Sequence, residues 1–201
     1  MRDAKHAAKP FVTLLDPLYA PRIASWVRDE QELTWLAPGT APPLTPQKVL
    51  AWSAQYRGRR LLFWPGPADG PAGYAELNHL SIQSSQMWIG HFLIDPARRG
   101  RSLGTTFARL LVTLAFEQCG ASEVLLVVFP ENLAAIRCYT RAGFSVTGQE
   151  TRFFETTGRE HSFLRMSITP AAYRPQAAFR QVASADACPP PRTAGRRCGR
   201  P

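Results

Sequence analysis

The chain has 201 residues, 45% of them apolar, and a net charge of +9, of which the segment from Pro170 onward supplies +5 with six Arg against one Asp. The length suits one domain able to bury a good core. No run approaches the ~20 apolar residues of a membrane span, and the polar opening Met1–Lys9 carries no secretory signal. The four cysteines show no metal-ligand spacing, so a soluble cytoplasmic protein with reduced thiols is expected.

Residues 1–9 read as a flexible leader, and Phe11–Leu15 is predicted as the first strand. Asp16 followed by Pro17 opens a helix to about Arg28, which Gln31–Leu36 extends as a short second helix. Pro38–Pro43 is a loop. Thr45-Pro46 opens another helix, with Val49, Leu50, Trp52 and Tyr56 as its apolar residues. Leu61–Trp64 is a strand and Pro65–Pro71 its turn. Ala72–Leu80 and Met87–Ile94 should pair as a hairpin across Ser81–Gln86. A basic, glycine-containing loop leads to a helix that runs to about Cys119. Its Leu103, Phe107, Leu110, Leu111 and Leu114 recur at the helical period and pack one face on a sheet.

Val124–Val128 is a buried strand, parallel to its neighbour because a helix connects them. Asn132 caps a short helix that stops at Gly143. Phe144–Glu155 and Arg159–Ile168 form a last hairpin around Thr157-Gly158. The Pro-, Arg- and Ala-rich end cannot bury enough apolar surface to fold. The expected organisation is therefore a domain over residues 10–169 and a disordered tail over 170–201. A basic tail can touch RNA or acidic partners, but it reads first as a solvated appendage. The fold class is α+β, with three α/β/α layers around a mixed, mostly antiparallel central sheet.

Two segments carry chemistry. In Ile94–Gly104, IDPARRGRSLG, a strand ends at Ile94, Pro96 stops it, and a helix opens near Ser102. Free backbone N–H groups and the positive end of the helix dipole gather at that junction and suit a pyrophosphate. Arg98, Arg99 and Arg101 add positive charge. About thirty residues on, Glu123–Phe144, EVLLVVFPENLAAIRCYTRAGF, sets Asn132 at a helix start and Tyr139 two turns later.

Together these segments resemble the GNAT superfamily of acyl-CoA N-acyltransferases. The R/Q-x-x-G-x-G/A motif of that family appears as Arg99-Gly100-Arg101-Ser102-Leu103-Gly104. Its second signature appears as Asn132, Tyr139 and Gly143-Phe144. The likeness runs from about Phe11 to Thr169, and it implies a sheet splayed at the cofactor site. Ser102 departs from the pattern, standing where the first motif Gly belongs. As a capping residue it is expected in the β region, with the loop still closing.

The resemblance implies acetyl-CoA as co-substrate, no metal, and direct attack by a primary amine in a ternary complex. The amine would belong to a small molecule or a protein N-terminus. Backbone groups from Arg99, Gly100 and Arg101 through Ser102, Leu103, Gly104 and Thr105 would hold the pyrophosphate, and Asn132 would help seat the pantetheine arm. Tyr139 would protonate the leaving thiolate. The chemistry fits, since a phenol of pKa ~10 is protonated where a thiol of pKa ~8.5 is a poor leaving group. Pro130 cannot donate to a sheet ladder and would help two parallel strands part. Pantetheine would then pair with the backbone of Phe92, Leu93 and Ile94 as an added strand, and one N–H there would polarise the thioester carbonyl.

The general base stays open. Ribosomal-protein N-terminal acetyltransferases of the superfamily place a Glu five residues before the motif Asn, and Val127 stands there in this chain. Glu76, His79 and His91 on the central hairpin are candidates, with Glu76 and His91 on strands flanking the acceptor cleft. A water relay, or an amine arriving neutral, would also serve. The missing Glu leaves a rival, a non-catalytic acyl-CoA-binding sensor or regulatory subunit, against which the retained Tyr139 argues. Leu44-Thr45 with Trp52 is faintly similar to the ribosomal-protein alanine acetyltransferase branch. Trp35, Trp52, Trp64 and Trp88 line either the acceptor cleft or the core. No nucleic-acid reader motif is present, no membrane partner is expected, and monomer or homodimer is left open.

Overall fold

The computed structural model describes residues 9–52, 57–81 and 85–175. In chain order the strands are β1 (Phe11–Leu14), β2 (Gly58–Trp64), β3 (Gly73–Ser81), β4 (Gln86–Ile94), β5 (Glu123–Val128), β6 (Ser145–Phe154) and β7 (Arg159–Ile168). The helices are α1 (Ala20–Ser25), α2 (Glu30–Leu36), α3 (Pro46–Ala51), α4 (Leu103–Thr113) and α5 (Leu133–Ala142). One sheet of order β1-β2-β3-β4-β5-β7-β6 holds all the strands, antiparallel except for the β4–β5 pair. Among the described residues no helix is long and apolar enough to cross a membrane.

Local chemistry starts and stops the helices as the sequence implied, with adjustments. The Asp16 side chain accepts from Leu18 N, but it caps a single 3₁₀ turn (Pro17–Tyr19), and α1 begins only at Ala20 and ends at Ser25. Asp29 caps α2 separately, and Thr45 caps α3 through Lys48 N at 3.3 Å. Trp52 already lies beyond α3, and Tyr56 falls outside the described residues. After Thr113 the helix widens into a π turn over Leu114–Gln118, closed by Cys119 N donating to Leu114 O.

Two cores fill the two faces of the sheet. Under α4 and α5 lie Leu61, Phe63, Leu77, Met87, Ile89, Phe107 and Leu111. Under α1–α3 lie Ile23, Leu33, Val49, Trp52, Leu62, Tyr74 and Leu93. Alternation along each strand assigns the faces, as with Leu61 and Phe63 against Leu62. In β4 the alternation breaks. Tyr74 pairs with Leu93 and Glu76 with Gly90, so β4 carries an extra residue at His91–Phe92. His91 takes φ +44 there. The bulge reverses which face each later residue meets. Met87 and Ile89 point to the α4 side, whereas His91 and Leu93 point to the α1–α3 side and Phe92 to the α4 side.

The parallel ladder is short. β4 and β5 are in register only over Gln86–Trp88 and Glu123–Leu125. The strands therefore part well before Pro130, and the bulged stretch of β4, not the proline, sits at the divergence. Beyond β7 the chain keeps packing past Thr169, where the tail was expected to start. Tyr173 Oη lies 2.9 Å from Thr113 Oγ1 and 2.8 Å from Glu117 Oε1, and its ring meets Phe116. Residues 1–8 and 176–201 lie outside the described residues.

Candidate active site

The loop after β4 is shaped by caps and arginines. Asp95 ends the strand and accepts from Ala97 N at 3.0 Å, making a 3₁₀ turn over Pro96–Arg98. Gly100 adopts φ +79, a turn open only to glycine at low cost. Ser102 then takes φ +59, ψ 9 and makes no capping hydrogen bond. This corrects the expected β-region cap: the loop demands a left-handed residue at that position, and Ser102 supplies it at a cost of ~1–2 kcal/mol. The first-turn N–H groups of α4 are left without a side-chain cap, as an anion site requires. Gly104 has a different task. A Cβ there would come 3.0 Å from Cys138 Sγ, so its glycine lets α4 and α5 close together. Thr105 turns its hydroxyl toward Cys138 O on α5 at 3.4 Å, which leaves only its backbone for the loop.

The three arginines divide. Arg98 reaches back to the carbonyls of Asp69 and Gly70. Arg99 donates from Nε to Ile94 O at 3.1 Å and from Nη1 to Glu32 Oε1 at 2.6 Å. Arg101 is exposed and has no ion pair among the described residues. Of the three expected to add charge around the loop, Arg98 and Arg99 are held by these partners and Arg101 is not. Glu32 also binds Arg28, and burial raises its carboxyl, but the hydrogen bonds from Arg28 and Arg99 outweigh this and hold it at about 2. One carboxylate of α2 therefore ties the first motif residue to the opposite side of the molecule.

At the divergence of β4 and β5 the bulge brings different chemistry to each face. On the α1–α3 face, Tyr74, Glu76 and Asn78 alternate along β3 and share one side. Glu76 is fully buried, accepting from Tyr74 Oη at 2.8 Å and Asn78 Nδ2 at 3.3 Å. Its Oε2 lies 2.9 Å from His91 Nδ1, close but not aligned as a hydrogen bond. The His91 ring is stacked on Trp52 with centroids 4.3 Å apart. Its side chain keeps 18% of its surface accessible, none of it at Nδ1. Burial and the adjacent Glu76 charge push the Tyr74 phenol far up, so it remains a donor to that carboxylate. His79 stands three residues further along β3, toward the hairpin turn and away from this pair.

On the α4–α5 face, Phe92 meets Phe107 at 5.1 Å and the edge of Tyr139 at 5.5 Å. Tyr139 is buried, and desolvation raises its phenol well above the usual range. Asn132 caps α5 by accepting from Ala135 N at 3.1 Å, which leaves its amide N–H groups unused by the cap.

A cleft of about 250 Å³ opens between α2, the 38–42 loop and the β6–β7 turn. Thr156 Oγ1 donates to Gly39 O at 2.7 Å and ties the two walls together. Thr40, on the cleft wall, accepts from Trp52 Nε1 at 3.0 Å, and Trp52 covers His91. Of the four tryptophans named from sequence, Trp52 alone stacks on the Glu76–His91 pair, while Trp64 is stacked on Phe11 near the far edge of the sheet.

The model of the GNAT acetyltransferase family matches residues 21–144. This chain belongs to that family. Aminoglycoside N(6')-acetyltransferase type 1 of Klebsiella pneumoniae is 33% identical over 92 residues, covering 40% of this chain and 45% of that protein. Spermidine N(1)-acetyltransferase of Escherichia coli K12 is 30% identical over 108 residues, covering 54% and 56%. The chain thus spans about half the length of the curated relatives it matches. Among solved structures, spermidine N-acetyltransferase of Vibrio cholerae, bound to CoA and spermine, superposes with TM-score 0.68 at 17% identity, over 82% of this chain and 97% of that one. The aminoglycoside acetyltransferase AAC(6')-Ib with coenzyme A and kanamycin gives 0.63 at 23%, over 81% and 96%.

Within this GNAT domain, sequence reasoning weighed Glu76 and His91 as separate candidates, and the fold joins them. The alternation of Tyr74, Glu76 and Asn78 was a readable sign of a polar ladder on one strand face. The bulge that swings His91 onto that face had only Gly90-His91 to announce it. Glu32 gave no local sign at all, because its partner Arg99 lies 67 residues away.

Proposed function

We propose that this GNAT protein transfers an acetyl group from acetyl-CoA to the primary amine of a small molecule. Coenzyme A appears in the solved relatives, and the named activities of the curated relatives are both amine acetylations of small molecules. The observation that carries the reading is the bulge at His91–Phe92. It sets a buried carboxylate–imidazole pair on one face of the splayed strands and Tyr139 on the other.

The backbone N–H groups from Arg99 to Thr105 bind the pyrophosphate at the uncapped start of α4. Asn132 and the unpaired edge formed by Phe92, Leu93 and Ile94 hold the pantetheine arm. An N–H of that edge donates a hydrogen bond to the developing oxyanion. His91, oriented by Glu76, takes a proton from the incoming ammonium. The amine nitrogen bonds to the carbonyl carbon and gives up its second proton to water, the carbon–sulfur bond breaks, and Tyr139 protonates the departing thiolate. Solvent returns a proton to Tyr139 and removes one from His91. Metal chemistry has no part in this scheme.

The test is acetyl-CoA calorimetry together with thiol release over an amine panel. Binding with transfer is expected. His91→Ala should lower kcat about 10²- to 10⁴-fold and leave acetyl-CoA affinity near wild type. Binding without any transfer would instead support the acyl-CoA sensor. No binding would remove both.

A further inference from the structure

The relatives named for spermidine and aminoglycosides act on polycations, and a polycation needs carboxylates. The cleft whose wall residue Thr40 bonds Trp52 has almost none among the described residues. Of the 15 Asp and Glu in the chain, Glu30 is the one that lines it among the described residues. Three carboxylates nearby are committed: Asp29 caps α2, Glu32 is bound by Arg28 and Arg99, and Glu76 faces His91; Glu155 is exposed in the β6–β7 turn beside Thr156 but does not line the cleft. Glu160 alternates with Arg159 and His161 along β7, and these two, not Glu160, line the cleft. Outside the described residues, 53–56 and 82–84 contain no Asp or Glu, and 1–8 and 176–201 contain one each, Asp3 and Asp186.

The opposite wall carries a fixed cation, Arg159. Arg159 and His161 come from β7, and Arg159 has no ion pair among the described residues. Thr34, Thr40 and Thr157 supply hydroxyls between the walls. The volume, about 250 Å³, falls below the range of pockets for drug-sized ligands. A triply charged amine would leave ammonium groups desolvated without partners and opposed by Arg159. An anionic group on a small acceptor would find a charge-assisted partner instead.

Building on the acetyltransferase reading, we propose that the acceptor is a small zwitterionic amine. Its carboxylate is held by Arg159 with His161, and its amino group is turned toward Glu30 and the Thr40–Trp52–His91 side. Arg159 is then a specificity-determining residue and not part of the acid–base chemistry.

The experiment measures kcat/KM with the full chain and acetyl-CoA for short dipeptides, their C-terminal amides, spermidine and kanamycin, with products read by mass spectrometry. The free carboxylates should exceed their amides by about tenfold or more, and both polycations should trail. Arg159→Gln should erase the carboxylate preference and Arg159→Glu should reverse it, while both variants bind acetyl-CoA as the wild type does. Equal rates for acids and amides, preference for spermidine or kanamycin, or an unchanged ratio in Arg159→Glu would each overturn the inference while leaving the transferase intact. Acetyl-CoA binding with no transfer to any amine would defeat the transferase reading, and this inference with it.

Discussion

The two halves of the proposed site are made in different ways. The proposed cofactor side comes from two contiguous stretches, β4 through α4 and β5 through α5, and its main instruments are backbone N–H groups at a loop–helix junction. The proposed acceptor side is assembled from α2, the 38–42 loop, Trp52 after α3 and the β6–β7 turn, pieces more than 100 residues apart in the chain. The difference teaches that a site built from backbone at a helix start is written locally. A site built from side chains exists only once the sheet has brought its walls together.

Tyr139→Phe tests the cofactor side most severely. It should cut kcat about 10²-fold with little change in the KM for acetyl-CoA. Burial keeps the phenol protonated through the neutral range and above it, so no loss of rate from its ionisation is expected below pH ~10. A pH–rate profile of the wild type showing an alkaline fall that Tyr139→Phe abolishes would contradict this placement.

Glu32→Gln asks whether the two sides are coupled. The Arg99 guanidinium loses its anchor on α2, so the Kd for acetyl-CoA and the KM for the acceptor should rise together, by about three- to tenfold. The carboxyl is held at about 2 against an ordinary 4.5, so its contribution to stability is complete above 4.5 and disappears as pH falls through 2. Urea midpoints of wild type and variant should therefore differ at neutral pH and converge in that acid window. A rise in one binding constant without the other would show the sides to be independent.

The smallest effect belongs to Ser102→Gly. Relief of the left-handed serine is worth ~1–2 kcal/mol, offset by ~0.5–1 kcal/mol of added chain entropy in the unfolded state. A rise in Tm of about 2 °C is expected, with the Kd for acetyl-CoA unchanged. A fall in Tm would mean that the hydroxyl is used in the folded protein.

Much of the fold could be read from the residues. Asp16, Thr45 and Asn132 cap the elements they precede, and the final hairpin turns at Thr157-Gly158 as expected. Where expectation and structure parted, a long-range contact decided. Ser102 was expected to cap α4, and loop closure made it left-handed instead. Arg98 and Arg99 were expected to add charge around the loop, and their side chains are held by the carbonyls of Asp69 and Gly70 and by the Glu32 carboxylate. Thr169 was expected to end the domain, and Tyr173 found Thr113 and Glu117 on the helix.

By itself the sequence determined what depends on neighbours along the chain: helix starts, strand periods, the glycine loop, and the spacing of Asn132 and Tyr139 along one helix. Only the tertiary structure decided that Glu76, His91 and Trp52 form one cluster, that Glu32 holds Arg99, and that Arg159 faces a cleft poor in carboxylates. For Glu32 and Arg159 the reason is contact between segments distant in the chain, and for the cluster it is the single extra residue at His91–Phe92. A bulge leaves composition and periodicity almost untouched, yet it reverses the facing of every later side chain on its strand.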